Sequence, residues 1–250
     1  MKRLQTVLHY YTKETLPGFF GFLGIYSAIL LAFATVISVR IGGANEGSVS
    51  SYEVLFAIAL ISICLSIYRE SLHFFIQHGI SRRTTYLGFF LFLLFTSLAF
   101  SIAATLLNVL LAWVVAVTSG NTNILMLPAQ IYPEFLATVS PLARTLVSLS
   151  FNWVFLFALG ALGWLIAALF NQLSKMGKVL VGSAVAGFYL ILLPLINRMV
   201  DGRLGTWAFY ALRGRGEMPM PGNAILVLLA HAVLWLALSW LLMRRFKVQK

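Results

Sequence analysis

Residues 88–117 read GFFLFLLFTSLAFSIAATLLNVLLAWVVAV, 30 positions without one Asp, Glu, Lys, Arg or His. A helix rises 1.5 Å per residue, so ~20 apolar residues cross ~30 Å of hydrocarbon, and this stretch exceeds that length. Within lipid a helix satisfies its own backbone groups, which makes it the natural form for such a run. Five further runs flank it: Phe19–Val39, Val54–Tyr68, Thr145–Phe170, Val179–Leu195 and Ala224–Leu242. Val54–Tyr68 and Val179–Leu195 are short, at 15 and 17 residues, and are expected to borrow a turn from their flanks. With 60% hydrophobic and 10% charged residues, a soluble globule is excluded. The expected fold class is an all-α polytopic membrane protein, a single transmembrane domain over residues 1–250 with six transmembrane helices.

The charges between the runs sort by side. With a cytoplasmic N-terminus, the inside segments hold Lys2, Arg3, Lys13, Arg69, Arg82, Arg83, Lys175, Lys178, Arg244, Arg245, Lys247 and Lys250, 12 of the 18 basic residues. Outside fall Arg40, Arg144, Arg198, Arg203, Arg213 and Arg215, together with Glu46, Glu53, Glu134, Asp201 and Glu217. Inside, the only acids are Glu14 and Glu70. The net charge of +11 thus divides into +10 inside (12 minus 2) and +1 outside (6 minus 5). By the positive-inside rule both termini are expected in the cytoplasm. Basic residues scattered over membrane-flanking loops suit anionic headgroups and do not indicate nucleic acid. A single cysteine, Cys64, builds neither a disulfide framework nor a thiolate metal cluster. Ala32-Phe33-Ala34 mimics a signal-peptidase site, but the apolar run continues past it and a retained first span is expected.

Two short segments carry an apolar face without being apolar enough to span. Leu4, Val7, Leu8 and Tyr11 recur at helical spacing within residues 1–17, an amphipathic helix suited to the cytoplasmic interface. Pro17-Gly18 is expected to turn the chain from it into the first span. In the loop of residues 69–86, Leu72, Phe75, Ile76 and Ile80 share one face, while Phe74 and His78 lie ~200° and ~240° round from Leu72. An aromatic on the polar side of a loop suggests a docking site, and an interfacial helix with arginines on phosphates is the alternative. Gly79 is expected to end this helix.

The stretch His78-Gly79-Ile80-Ser81-Arg82-Arg83, in the first cytoplasmic loop behind an amphipathic N-terminus, resembles the G-[IV]-S-[RK]-[RK] pattern of ABC-2-type ABC transporter permeases. The likeness covers nearly the whole chain in topology and only this stretch in motif. It implies a bacterial plasma-membrane exporter in which the loop is a short coupling helix seated in a separate ATPase. Glu70, His73, Phe74, Gln77, His78, Gly79, Ser81, Arg82 and Arg83 would form that contact. The resemblance further implies two P-loop ATPase subunits carrying the ATP and Mg, and a second permease subunit making a homo- or heterodimer. An external segment of residues 196–223 between spans five and six, with Trp207, Phe209 and Tyr210 at the outer interface, agrees with it. The loop Ser119–Arg144, with Pro128, Pro133 and Pro141, departs from it and reads as an interfacial or re-entrant element.

Several chemistries are excluded. Gly177-Lys178 lacks both the upstream glycine, since position 172 is Gln172, and a following Ser or Thr, so no P-loop is present. Asp and Glu are absent from all six runs, and His231 is the only ionisable side chain well inside one apart from Cys64. No catalytic residue, metal site or cofactor is therefore expected in this chain. Ion-coupled carriers tend to place carboxylates in the membrane, so energy is expected from outside the spans. Asn108, Asn152 and His231 each lie ~10–14 Å below the external edge of their runs. They read either as a polar layer at an outer gate or as interhelical packing contacts.

Gly18, Gly21 and Gly24, and the pairs Gly163/Ala167 and Gly182/Ala186, mark close helix approaches, within the subunit or at a dimer face. Trp113, Trp153 and Trp164 read as core or belt residues. The expected function is the permease subunit of an ATP-driven exporter of a hydrophobic or amphipathic substrate, a peptide toxin or a drug. Alternatives are a non-transporting membrane scaffold or signalling component, and an intramembrane hydrolase.

Overall fold

A computed structural model describes residues 2–40, 48–50, 53–117, 123–187, 193–199, 206, 210 and 220–244. Among these, four helices are long and apolar enough to cross a membrane. They are α2 (Glu53–Gln77), α3 (Arg82–Val117), α6 (Pro141–Gln172) and α9 (Pro221–Arg244). The expected first span lies in α1 (Lys2–Arg40), and the expected fifth begins in α7 (Lys175–Gly187) and continues through 188–192, outside the described residues. Short helices α4 (Leu127–Ile131), α5 (Pro133–Thr138) and α8 (Leu193–Met199) complete the set. Strands β1 (Ser48–Ser50) and β2 (Asn123–Leu125) form a short parallel pair, with Val49 opposite Ile124. Most of the segment 196–223 and the basic residues after Arg244 lie outside the described residues.

Two expected elements are not separate. The amphipathic stretch before Pro17 does not turn into the first span; α1 runs unbroken from Lys2 to Arg40 with Pro17 inside it. Its apolar face is buried, with Val7 and Tyr11 at 0% exposure, and packs against α3. Val7 lies beside Gly88, Tyr11 beside Phe89 and Phe92, and Phe19 against Phe100, a constant offset that makes α1 and α3 parallel neighbours. That continuous contact removes any reason for the chain to bend at Pro17. Likewise, no independent coupling helix exists, because Ser71–Gln77 is the last part of α2. Leu72 and Phe75 are buried in the same core as Phe56 and Leu60, so their apolar stripe extends the span's own stripe.

Register follows from a few contacts. A Cβ on Gly163 would lie 3.1 Å from Ile61 Cα, and one on Gly160 would collide with Leu93 and press on Leu60, so α2 and α6 run parallel at close range. Ser101 Oγ donates to Leu149 O at 2.8 Å and Trp153 Nε1 to Leu94 O at 3.3 Å, so α3 and α6 are antiparallel. Tyr86 Oη donates to Leu236 O at 2.8 Å, and Gln172 Nε2 to Leu242 O at 2.7 Å, placing α9 antiparallel to α3 and parallel to α6. Trp164 fills the centre, stacked on Phe89 and edge-on to Tyr68 at 4.5 Å between centroids. Trp153 is half-buried and Trp113 exposed, consistent with core and belt roles.

Candidate functional site

The first candidate is the α2–α3 corner. Gly79 has φ +70°, a left-handed value that costs any residue with a Cβ ~1 kcal/mol or more. Gly79 N–H donates to Ile76 O at 3.1 Å and Ile80 N–H to Phe75 O at 2.9 Å, the two bonds of a Schellman motif. Ile80 packs on the core, supplying the apolar contact that accompanies this motif. Ser81 then caps α3: its Oγ accepts from Thr84 N at 3.2 Å, and its carbonyl accepts from Thr85 N at 3.0 Å. The glycine, the apolar residue and the serine of the motif are thus explained by the mechanics of a tight helix-to-helix turn.

What remains for a partner is smaller than the expected set. Phe74 is 40% exposed, tilted over His78 at 4.2 Å between centroids and stacked on Tyr10 of α1 at 5.1 Å. His78 Nδ1 is bonded to Phe74 O at 2.8 Å, which fixes the ring beside it. Gln77 and Arg83 are exposed, while His73 is half-buried. Arg82 is occupied within the chain, donating to Arg244 O at 2.6 Å at the end of α9. The side chain of Glu70 lies outside the described residues. Arg3 reaches Gly79 O at 3.4 Å, so α1 braces the corner from the other side. Sequence reasoning missed Tyr10 because it lies beside, and not on, the apolar stripe of its helix.

The second candidate is the polar interior. The expected layer of Asn108, Asn152 and His231 does not assemble. From the Ser101–Leu149 and Trp153–Leu94 pairs, Asn152 comes level with Phe95–Leu98 of α3, about ten to thirteen residues or ~15–20 Å from Asn108. His231 is exposed on α9, with Nδ1 bonded to Val227 O at 2.7 Å and its ring beside Trp235. Asn152 is fully buried, with its amide within reach of the Glu53 carboxyl and no well-aligned hydrogen bond to any described residue.

Its neighbour is Glu53. The expectation that no carboxylate sits at depth is corrected here: Glu53 is 0% exposed. The parallel register of α2 with α6 sets it level with Asn152–Phe155, about twelve residues or ~18 Å from the Pro141 start of α6. Glu53 Oε1 accepts the Leu127 N–H of α4 at 2.9 Å, and Oε2 has no partner among the described residues. Flanking the short run Val54–Tyr68, Glu53 was counted as external. The longer helices α3 and α6 extend past the start of α2 and enclose it. The same bond explains the proline-bearing loop: Met126, Pro128, Tyr132 and Leu136 are buried, so α4 and α5 fold back onto the bundle. Among the described residues no group of three His, Cys, Asp or Glu side chains could hold a metal ion.

No family model, curated protein or solved structure matches the chain.

Proposed function

We propose that this chain is the membrane-spanning permease subunit of an ATP-driven exporter, a bacterial plasma-membrane protein with both termini cytoplasmic. The observation that carries this reading is the α2–α3 corner. A Schellman turn and a serine cap hold Phe74, Gln77, His78 and Arg83 on a rigid tip joined directly to two spans. A force applied there would move both helices as levers, because no flexible linker intervenes. ATP and Mg would be handled by two P-loop ATPase subunits, whose cleft would receive the aromatic pair. Gly18, Gly21, Gly24 and Gly182 have no described residue within 4 Å of where a Cβ would sit, which supports a second permease subunit on those faces. The substrate would be hydrophobic or amphipathic, an antimicrobial peptide or a drug.

The test is co-purification with a P-loop ATPase from the native host, followed by ATPase assays of the reconstituted pair. Phe74→Ala and Arg83→Glu should each lower complex recovery and hydrolysis severalfold while the permease still folds. A folded permease that retains no ATPase, or hydrolysis indifferent to both substitutions, would reject the proposal. Glu53 favours a second reading, ion-coupled transport without an ATPase, since a buried carboxylate facing the Asn152 amide suits a proton or cation. That reading expects Glu53→Gln to abolish transport driven by an imposed ion gradient in vesicles free of ATP.

A further inference from the structure

Between α3, α4 and α6 lies a cavity of about 230 Å³, lined by Thr105, Asn108, Val109, Met126, Ala129, Arg144, Thr145 and Ser148. Its one charged group among the described residues is a cation, Arg144. Arg144 is anchored through Nε, which donates to Leu136 O at 2.9 Å, leaving its two Nη groups without an acceptor among the described residues. Ser148 is almost fully buried, one turn along α6, and its hydroxyl makes no hydrogen bond to another described residue. Across the cavity, buried Oδ1 of Asn108 has no partner among the described residues and offers an acceptor. Thr105 and Thr145 are not available as donors, since their hydroxyls already donate to Ser101 O and Pro141 O. Val109, Met126 and Ala129 form the apolar side.

A guanidinium with free Nη groups and a buried hydroxyl lining one space match the acceptor-rich outline of an oxyanion, and Asn108 Oδ1 can accept from a hydroxyl carried next to it on the ligand. Among the described residues no acidic side chain lines the cavity to compete. We propose that this cavity binds the phosphate or carboxylate head of an anionic amphiphile, with the tail following Val109 and Met126 towards the lipid. The site does not depend on the ATPase reading and is tested without any partner.

Purified full-length protein in dodecyl maltoside is unfolded thermally while phosphatidylglycerol, phosphatidylcholine or inorganic phosphate is titrated in. Phosphatidylglycerol should raise the Tm saturably and phosphatidylcholine should not. Arg144→Gln should weaken the apparent affinity ~10-fold, the loss of a charge-assisted bond. Ala129→Leu, which fills the cavity without touching a charge, should weaken it as well, and it keeps the test open if Arg144→Gln does not fold. Lys178→Gln, a basic residue elsewhere, should respond like the unaltered protein. A saturable response to inorganic phosphate that both cavity variants lose would support the oxyanion site and identify a free anion as sufficient. Equal stabilisation by both lipids with none by phosphate, or an unaltered response in the cavity variants that fold, would overturn the proposal.

Discussion

Glu53 Oε1 and the backbone N–H of Leu127 meet at 2.9 Å across 74 positions of sequence. This bond ties the buried start of α2 to the start of α4 and holds the Pro128–Thr138 segment against the bundle. A carboxylate accepting a backbone N–H contributes ~1.5–3 kcal/mol, and losing it leaves a buried donor unsatisfied. Glu53→Ala should therefore lower stability by about that amount and accelerate amide exchange at Leu127 and along α4. Glu53→Gln keeps an acceptor in place and should retain most of the protection. Hydrogen exchange read by mass spectrometry checks both, and unchanged exchange over 126–138 in Glu53→Ala would show that the bond does not hold the segment.

The corner gives a prediction by residue type. Gly79→Ala forces a Cβ into a left-handed conformation and should cost ~1–2 kcal/mol. Ser81→Ala removes a cap and should cost ~1 kcal/mol, whereas Ser81→Asp should cost little because a carboxylate also accepts from Thr84 N–H. Thermal unfolding in detergent gives the order; an unaffected Gly79→Ala protein would contradict the positive φ.

Phe74 and Phe75 are adjacent but face different surroundings. Phe75 is fully buried, edge-on to Tyr10 and Tyr11, and Phe75→Ala should cost ~3–5 kcal/mol. Phe74 is 40% exposed, and losing its stack on Tyr10 should cost only ~0.5–1.5 kcal/mol. A large loss of stability in Phe74→Ala would mean that this ring is a core residue and not a contact surface.

The glycines separate into two groups. Gly163 faces Ile61 Cα at 3.1 Å from a notional Cβ, and a helix backbone cannot step aside as a side chain can. Gly163→Leu should destabilise the protein by ~1–3 kcal/mol or more. Gly21 and Gly182 have open space among the described residues, so Gly21→Leu and Gly182→Leu should leave monomer stability unchanged, and the proposed second subunit predicts that they alter only the size-exclusion profile. Unfolding and size-exclusion profiles of the three variants distinguish these effects.

His231 turns outward and bonds only within its own helix. His231→Leu should change stability by less than ~0.5 kcal/mol. It should also leave labelling by a serine-reactive probe at background, as expected of a residue with no place in a buried nucleophilic site.

Helices, their apolar faces and the turn at Gly79 were legible in the chain itself, because they depend on neighbours within a few positions. The hydrocarbon length of 88–117, the stripe Leu72–Phe75–Ile76 and the left-handed glycine before a serine cap are all local properties. Relative depth is not local. Asn108 and Asn152 looked level when each was measured from the end of its own apolar run, yet α3 and α6 are offset by the contacts of Ser101 and Trp153. Glu53 looked external because its own run begins after it, and longer neighbours enclose it. Pro17 looked like a turn because its missing N–H weakens a helix, and side-by-side packing on α3 keeps the helix whole. Order along the chain is enough to settle which segments become apolar helices and how the α2–α3 corner closes. Which polar groups those helices bring to the same depth depends on helix register, and that is set by packing between residues far apart in the chain.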